Sequence, residues 1–173
     1  MSDDIYVVMG VAGSGKSLIG SALAHALGVE FVEGDDHHPA ENVARMAAGI
    51  PLTDEDRVGW LRSIAGRIRE ARADGVGLVV ACSALRRRYR DFLRTESGVA
   101  DLRFVLLRGE RSLIADRLTS RRGHFMPPSL LESQLDALEE PASDEDAWVC
   151  DVSRTPDEIV DSLVALVRRT RPA

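Results

Sequence analysis

Apolar positions along the chain alternate between two rhythms. Short apolar, mostly β-branched runs recur at Ile5–Met9, Val29–Val32, Leu78–Cys82, Arg103–Leu107 and Trp148–Val152. Each is strand-sized and bounded by turn or charged residues. Between them the spacing changes to three and four residues. Leu18, Ile19, Ala22, Leu23, Ala26 and Leu27 predict a helix over 16–27 that stops at Gly28. Pro39 suits the first turn of a helix through Ala48, with Gly49 just past its end. Thr53 is placed to cap a further helix whose buried stripe is Trp60, Leu61, Ile64 and Ile68. In "ALRRRYRDFLR" Leu85, Tyr89, Phe92 and Leu93 point inward, and Glu110–Arg122 continues helical until Gly123. After Pro127-Pro128 a helix is expected to about Leu138. "TPDE", Thr155 to Glu158, forms a capping box with proline at the first helical position and opens a C-terminal helix. Strand and helix therefore alternate almost throughout, which predicts an α/β protein with a parallel sheet.

Composition narrows this picture. A chain of 173 residues, 45% hydrophobic, suits one compact domain with a sizeable core. No apolar run is long enough for a membrane span, and the N-terminal "MSDDIYVVMG" has no basic region ahead of its apolar run, so no secretory signal is expected. A net charge of −6 disfavours nucleic acid as a partner. Cys82 and Cys150 are expected as buried, reduced thiols of a cytoplasmic protein, although sequence leaves a disulfide between them open. The stretch "EEPASDEDA" (Glu139–Ala147) is expected as a solvated connector. Of 22 Lys+Arg residues, 21 are Arg; the one lysine is Lys16. A compact ammonium differs from a planar guanidinium, which marks Lys16 as a position where Arg will not serve.

Lys16 lies in "GVAGSGKS", which matches G-x-x-x-x-G-K-[ST] and sits between a predicted strand and a predicted helix. In such a loop successive backbone N–H groups and a helix N-terminus converge on phosphate. Gly10, Val11, Ala12, Gly13, Ser14, Gly15, Lys16 and Ser17 are thus expected to bind ATP. Lys16 would reach the β- and γ-phosphates, and Ser17 would hold Mg²⁺. The later strand that often carries a Mg²⁺-binding Asp ends here in Cys82-Ser83. The nearest comparable carboxylate is Asp35, just after the second strand, on the sheet edge where ligands of parallel α/β proteins bind. It is the candidate to orient the acceptor and receive its proton. The surrounding "GDDHH" superficially suggests a transition-metal site, but adjacent side chains rarely converge on one ion, and Mg²⁺ prefers oxygen.

With these residues in view, the chain resembles the gluconate kinases of the thermoresistant gluconokinase type, small P-loop kinases related to shikimate and nucleotide kinases. The resemblance runs from Gly10 to about Pro156 and rests on "GVAGSGKS", "GDDHHPAEN", "MAAGIPLTDEDRVGWL", "CSALRRRYRDFLR", "RRGHFMPPSLLESQLDALEEP" and "DVSRTP". Gly59 and Leu135 depart from the family pattern, which usually has Pro and Phe there. The resemblance implies a P-loop kinase fold: a central five-stranded parallel sheet with helices on both faces and a small lid at about 117–128. It implies transfer of the ATP γ-phosphate to the 6-hydroxyl of D-gluconate, and a homodimer. Arg57, Arg86 and Arg90, then Arg45, fall in the blocks from which the substrate carboxylate would be bound. Arg87 and Arg88 are expected to face solvent. Arg117 and Arg121, four apart, would contact adenine and the phosphates, Arg121 acting catalytically, with His124 on the closing lid and Arg154 near the adenine. The competing readings are a shikimate-like or nucleotide kinase on the same fold and a non-catalytic ATP-binding module.

Overall fold

The computed structural model describes residues 4–120 and 128–171. Five strands, β1 (Ile5–Met9), β2 (Glu30–Glu33), β3 (Leu78–Ala81), β4 (Arg103–Arg108) and β5 (Ala147–Asp151), form one sheet. All neighbours are parallel, in the order β2-β3-β1-β4-β5. The helices are α1 (Lys16–Leu27), α2 (Ala40–Ala47), α3 (Asp54–Ala73), α4 (Arg87–Ser97), α5 (Arg111–Ser120), α6 (Pro128–Ala137) and α7 (Pro156–Thr170). A short 3-10 turn, Gly34–His37, follows β2.

The strands are apolar on both faces because both faces are covered. Ile5, Val7 and Met9 pack with Trp60, Ile64 and Ile68 of α3 and Tyr89 and Leu93 of α4. Tyr6 and Val8 point the other way, onto Ile19 and Leu23 of α1 and Ile159, Leu163 and Val167 of α7. A smaller cluster, Val11, Leu85, Ile114 and Leu131, joins α5 and α6 to the carboxyl edge of the sheet. The predicted alternation is thus realised as a doubly wound sheet. Thr53 and Thr155 both cap their helices with reciprocal capping boxes. Cys82 and Cys150 are free and buried. No helix among the described residues is long and apolar enough to cross a membrane.

Two expectations change. Glu139–Ala147 is not merely a solvated connector: it carries the counter-charges of five arginines. Arg108 pairs with Glu140, Arg87 with Asp144, Arg90 and Arg94 with Glu145, and Arg103 with Asp146. In addition, α4 begins at Arg87, later than the apolar spacing suggests. Ala84 lies in the left-handed region at φ 43, a conformation strained for a residue with a Cβ. The Arg90 guanidinium takes up the carbonyls of Ala84 and Leu85 at 2.9 and 3.2 Å, which holds this segment out of the helix.

Candidate active site

Two clefts meet at the loop between β1 and α1. The first, of about 240 Å³, is lined by Ala12, Gly13, Gly15, Lys16 and Ser17 on one side and by Asp35, His38, Met46, Leu52 and Arg57 on the other. Ser83 and, from α6, Leu130, Ser133 and Gln134 complete it. The second, of about 330 Å³, lies behind the same glycines, between Leu18, Arg117, Arg154 and Pro156.

The loop is built for an anion. Gly15 caps α1 in a left-handed conformation, and no side chain caps that N-terminus, so the first-turn N–H groups face the ligand side. Gly13 has φ +80, and a Cβ there would meet Leu118 at 2.8 Å. The Lys16 ammonium donates to the Val11 carbonyl at 3.0 Å, folded over the loop it serves. The Ala12 N–H is taken by Gln134 Oε1 at 2.7 Å, a contact that fastens α6 to the loop.

The acceptor wall comes from the end of β2. A side chain at Gly34 would strike the Ala81 carbonyl at 2.2 Å, so only glycine lets the chain pass β3 this closely. The turn that follows puts Asp35 into the cavity beside Lys16 and Ser17. Ser17 Oγ donates to the Glu33 carboxylate, whose other oxygen accepts the Asp35 N–H at 3.4 Å. Two oxygen groups so placed next to a phosphate loop could hold a hard cation such as Mg²⁺. The four polar residues of "DDHH" do not converge: Asp35 lines the cavity, Asp36 is exposed, His37 meets Ser63 Oγ at 2.7 Å, and His38 stacks on Trp60. Among the described residues no group of three His, Cys, Asp or Glu side chains could hold a metal ion.

Arg57 lines the same cavity as Asp35. It lies over the Tyr89 ring at 5.3 Å and donates to the Leu52 carbonyl at 3.4 Å, while its buried Nε has no hydrogen-bond partner among the described residues. A guanidinium with an unpaired buried N–H is suited to an anionic ligand. The other proposed carboxylate binders are elsewhere. Arg90 is a correction: it is fully buried and bidentate to Glu145 at 2.7 and 2.9 Å, so its donors are consumed inside the fold. Arg45 is exposed and paired with Asp56 at 3.4 Å, and Arg86 caps α4; neither lines the cavity. Arg87 and Arg88, expected to face solvent only, are exposed but paired with Asp144 and Asp54. In the second cleft Arg117 donates to the Val152 carbonyl at 2.6 Å, and Arg154 to Glu158 O and Ser162 Oγ at 3.3 and 3.0 Å. Arg121, His124 and most of the expected lid lie outside the described residues.

Glu33, Ser83, Gln134 and His38 were not among the site residues expected from sequence. Glu33 had a readable signal: it is a second carboxylate two residues before Asp35, at the end of β2. Burial pushes the His38 imidazole down to about 4, with Asp35 raising it and Arg57 lowering it. Burial pushes the Cys82 thiol up to about 12.

A phosphate loop and a β2 carboxylate on the carboxyl edge of a parallel sheet define a P-loop kinase of small molecules. A family model for shikimate kinase matches residues 12–168. The thermoresistant gluconokinase of Escherichia coli K12 is 41% identical over 167 residues, covering 95% of this chain and 94% of that protein. A gluconokinase structure from Sinorhizobium meliloti superposes with a TM-score of 0.86 at 47% identity, covering 96% and 93% of the two chains. An unliganded sugar kinase from Janibacter sp. gives 0.90 at 44%, covering 95% and 94%. The chain belongs to the gluconokinases, within the P-loop kinases that the shikimate kinase family model describes.

Proposed function

We infer that this protein is a gluconokinase, transferring the γ-phosphate of ATP to the 6-hydroxyl of D-gluconate to give 6-phosphogluconate and ADP. The observation that carries the reading is that a carboxylate, Asp35, and a guanidinium, Arg57, line one cavity together with Lys16 and Ser17. An open-chain sugar acid has a hydroxyl at one end and a carboxylate at the other, which suits that pair. Arg57 binds the carboxylate and Asp35 orients the terminal hydroxyl. As the O6–P bond forms and the bond from the γ-phosphorus to the bridging oxygen breaks, the O6 proton passes to Asp35. Lys16 and the loop N–H groups stabilise the charge on the transferring group. Ser17 Oγ, with Glu33 in reach, would hold Mg²⁺, which neutralises phosphate charge when bound. Arg117 and Arg154 flank the adenine in the second cleft, Arg121 assists the phosphates, and His124 closes on the substrate. One kinase domain, acting as a cytoplasmic homodimer, completes the proposal.

The test is ADP release measured in parallel with gluconate, shikimate, glucose and nucleoside monophosphates. Gluconate is expected to give the dominant rate, and a gluconate rate no higher than the ATP-only background overturns the reading. Asp35→Ala is expected to keep nucleotide binding while turnover falls about a thousandfold. Near wild-type turnover would remove Asp35 from the chemistry.

A further inference from the structure

Asp35 and Arg57 share their cavity with an imidazole, that of His38. His38 closes the turn that carries Asp35, its main-chain N–H bonded to the Asp35 carbonyl at 3.2 Å. Two contacts fix that ring. Its face stacks on Trp60 with centroids 4.1 Å apart and planes 13° from parallel. Trp60 is fully buried and locked in turn, its Nε1–H donating to the Gly34 carbonyl at 2.8 Å. One ring edge, Nδ1, lies 3.3 Å from the side-chain nitrogen of Asn42, which is buried and 4% exposed.

The tautomer follows from Asn42. Its amide nitrogen also donates to the main-chain carbonyl of Asp56 at 2.8 Å. A carbonyl can only accept, so that bond fixes which end of the amide is nitrogen. The group facing Nδ1 is therefore a donor, Nδ1 accepts, and the ring proton sits on Nε2. With one face on Trp60 and Nδ1 on Asn42, Nε2–H is the one polar ring group left for the cavity that His38 lines.

We propose that His38 reads a secondary hydroxyl of the acceptor through Nε2–H, held in one tautomer by Asn42 and in one plane by Trp60. The inference rests on the gluconokinase reading. In a sugar acid spanning Asp35 and Arg57, the groups opposite His38 are the hydroxyls between the two ends. A neutral donor suits them, because a second cation there would compete with Arg57 for the carboxylate. Asn42 and Trp60 are positioning residues and touch no substrate.

The test is a cycle between protein and substrate variants. Initial rates are measured for D-gluconate and its 3-, 4- and 5-deoxy analogues with wild type, His38→Phe, His38→Gln and His38→Asn. Phe keeps the stack on Trp60 without a donor. Gln carries an amide N–H near the Nε2 position, whereas the shorter Asn does not reach it. His38→Phe is expected to lower kcat/KM for gluconate about ten- to a hundredfold, with the KM for ATP unmoved. For one deoxy analogue the wild-type penalty should vanish in Phe and Asn and persist in Gln. Should Phe fail to fold, the contrast between Gln and Asn decides alone. Penalties that stay the same in all variants, or that Gln and Asn lose equally, overturn the role of His38 while leaving the gluconokinase reading intact. A wild type inactive on gluconate sinks both.

Discussion

Arg57 and Arg90 are the same residue type, each on a long helix flanking the core, and each against Tyr89 or its neighbours. Their surroundings differ in one respect. Around Arg90 every guanidinium nitrogen is bonded to the protein: Glu145 takes Nε and Nη2, and the carbonyls of Ala84 and Leu85 take Nη1. Around Arg57 the ring of Tyr89 and one long bond to Leu52 leave a buried N–H without a partner among the described residues. A satisfied buried arginine is a brace. One held in a cavity with a donor to spare is matched to something that arrives. The first trades function for rigidity, and the second keeps a desolvation cost in the resting fold that a bound carboxylate would offset.

The largest effect should come from breaking the brace. Arg90→Met takes away the bidentate partner of buried Glu145, leaving it only Arg94 at 3.4 Å and the Ala142 N–H at 3.0 Å, and should cost about 3 kcal/mol of stability. Chemical denaturation checks this, while the KM for gluconate in the folded protein stays near that of wild type. Pairing the change with Glu145→Leu should recover most of the loss. If Arg90→Met instead weakens gluconate binding at unchanged stability, the assignment of the two arginines is reversed.

Arg57→Met should give the opposite pattern. Removing an unpaired buried donor leaves the melting temperature unchanged or raised. The loss of a bidentate, charge-assisted contact should raise the KM for gluconate about a hundredfold. The KM for ATP is the internal control.

Acid separates the two regions without mutation. The His38 pKa is lowered from 6.5 to about 4, chiefly by burial. The unfolded chain therefore binds this proton first, and the associated stability, full above pH 6.5, is lost as pH falls from 6.5 to 4. Glu145 behaves otherwise. Burial pushes its carboxyl up, but the hydrogen bonds from Arg90 and Ala142 N–H and the charges of Arg90 and Arg94 prevail and hold it at about 2. Its contribution, full above pH 4.5, is lost between 4.5 and 2. Acid unfolding followed by fluorescence should show the acceptor-wall limb at the higher pH, and His38→Gln should remove that limb alone. A His38→Gln profile identical to wild type would contradict the buried neutral ring.

Legibility followed range. The strands, capping boxes and phosphate loop were readable because each depends on residues a few positions apart, and Asp35 followed from where a β2 strand must end. The arginines were not. Arg57, Arg86 and Arg90 occupy comparable amphipathic positions, and what separates Arg90 is Glu145, 55 residues away in a stretch that reads as a solvated acidic loop. His38 was hidden for the same reason: its ring is specified by Trp60, Asn42 and the carbonyl of Asp56, none of which marks a histidine as functional in one dimension. Lone charges are easy to see in a sequence, and their partners are not.

Gly59 gives the smallest effect and the sharpest control. It departs from the family pattern and lies two residues after Arg57 inside α3, exposed, with open space where a Cβ would stand. Glycine there costs backbone entropy and contributes no contact. Gly59→Ala should therefore stabilise the protein by about 0.5–1 kcal/mol, measured by denaturation, with kcat and KM for both substrates unchanged. A change in KM would mean that stiffening α3 next to Arg57 alters how the guanidinium is presented. The acceptor wall would then depend on helix flexibility as well as on the unpaired donor that distinguishes Arg57 from Arg90.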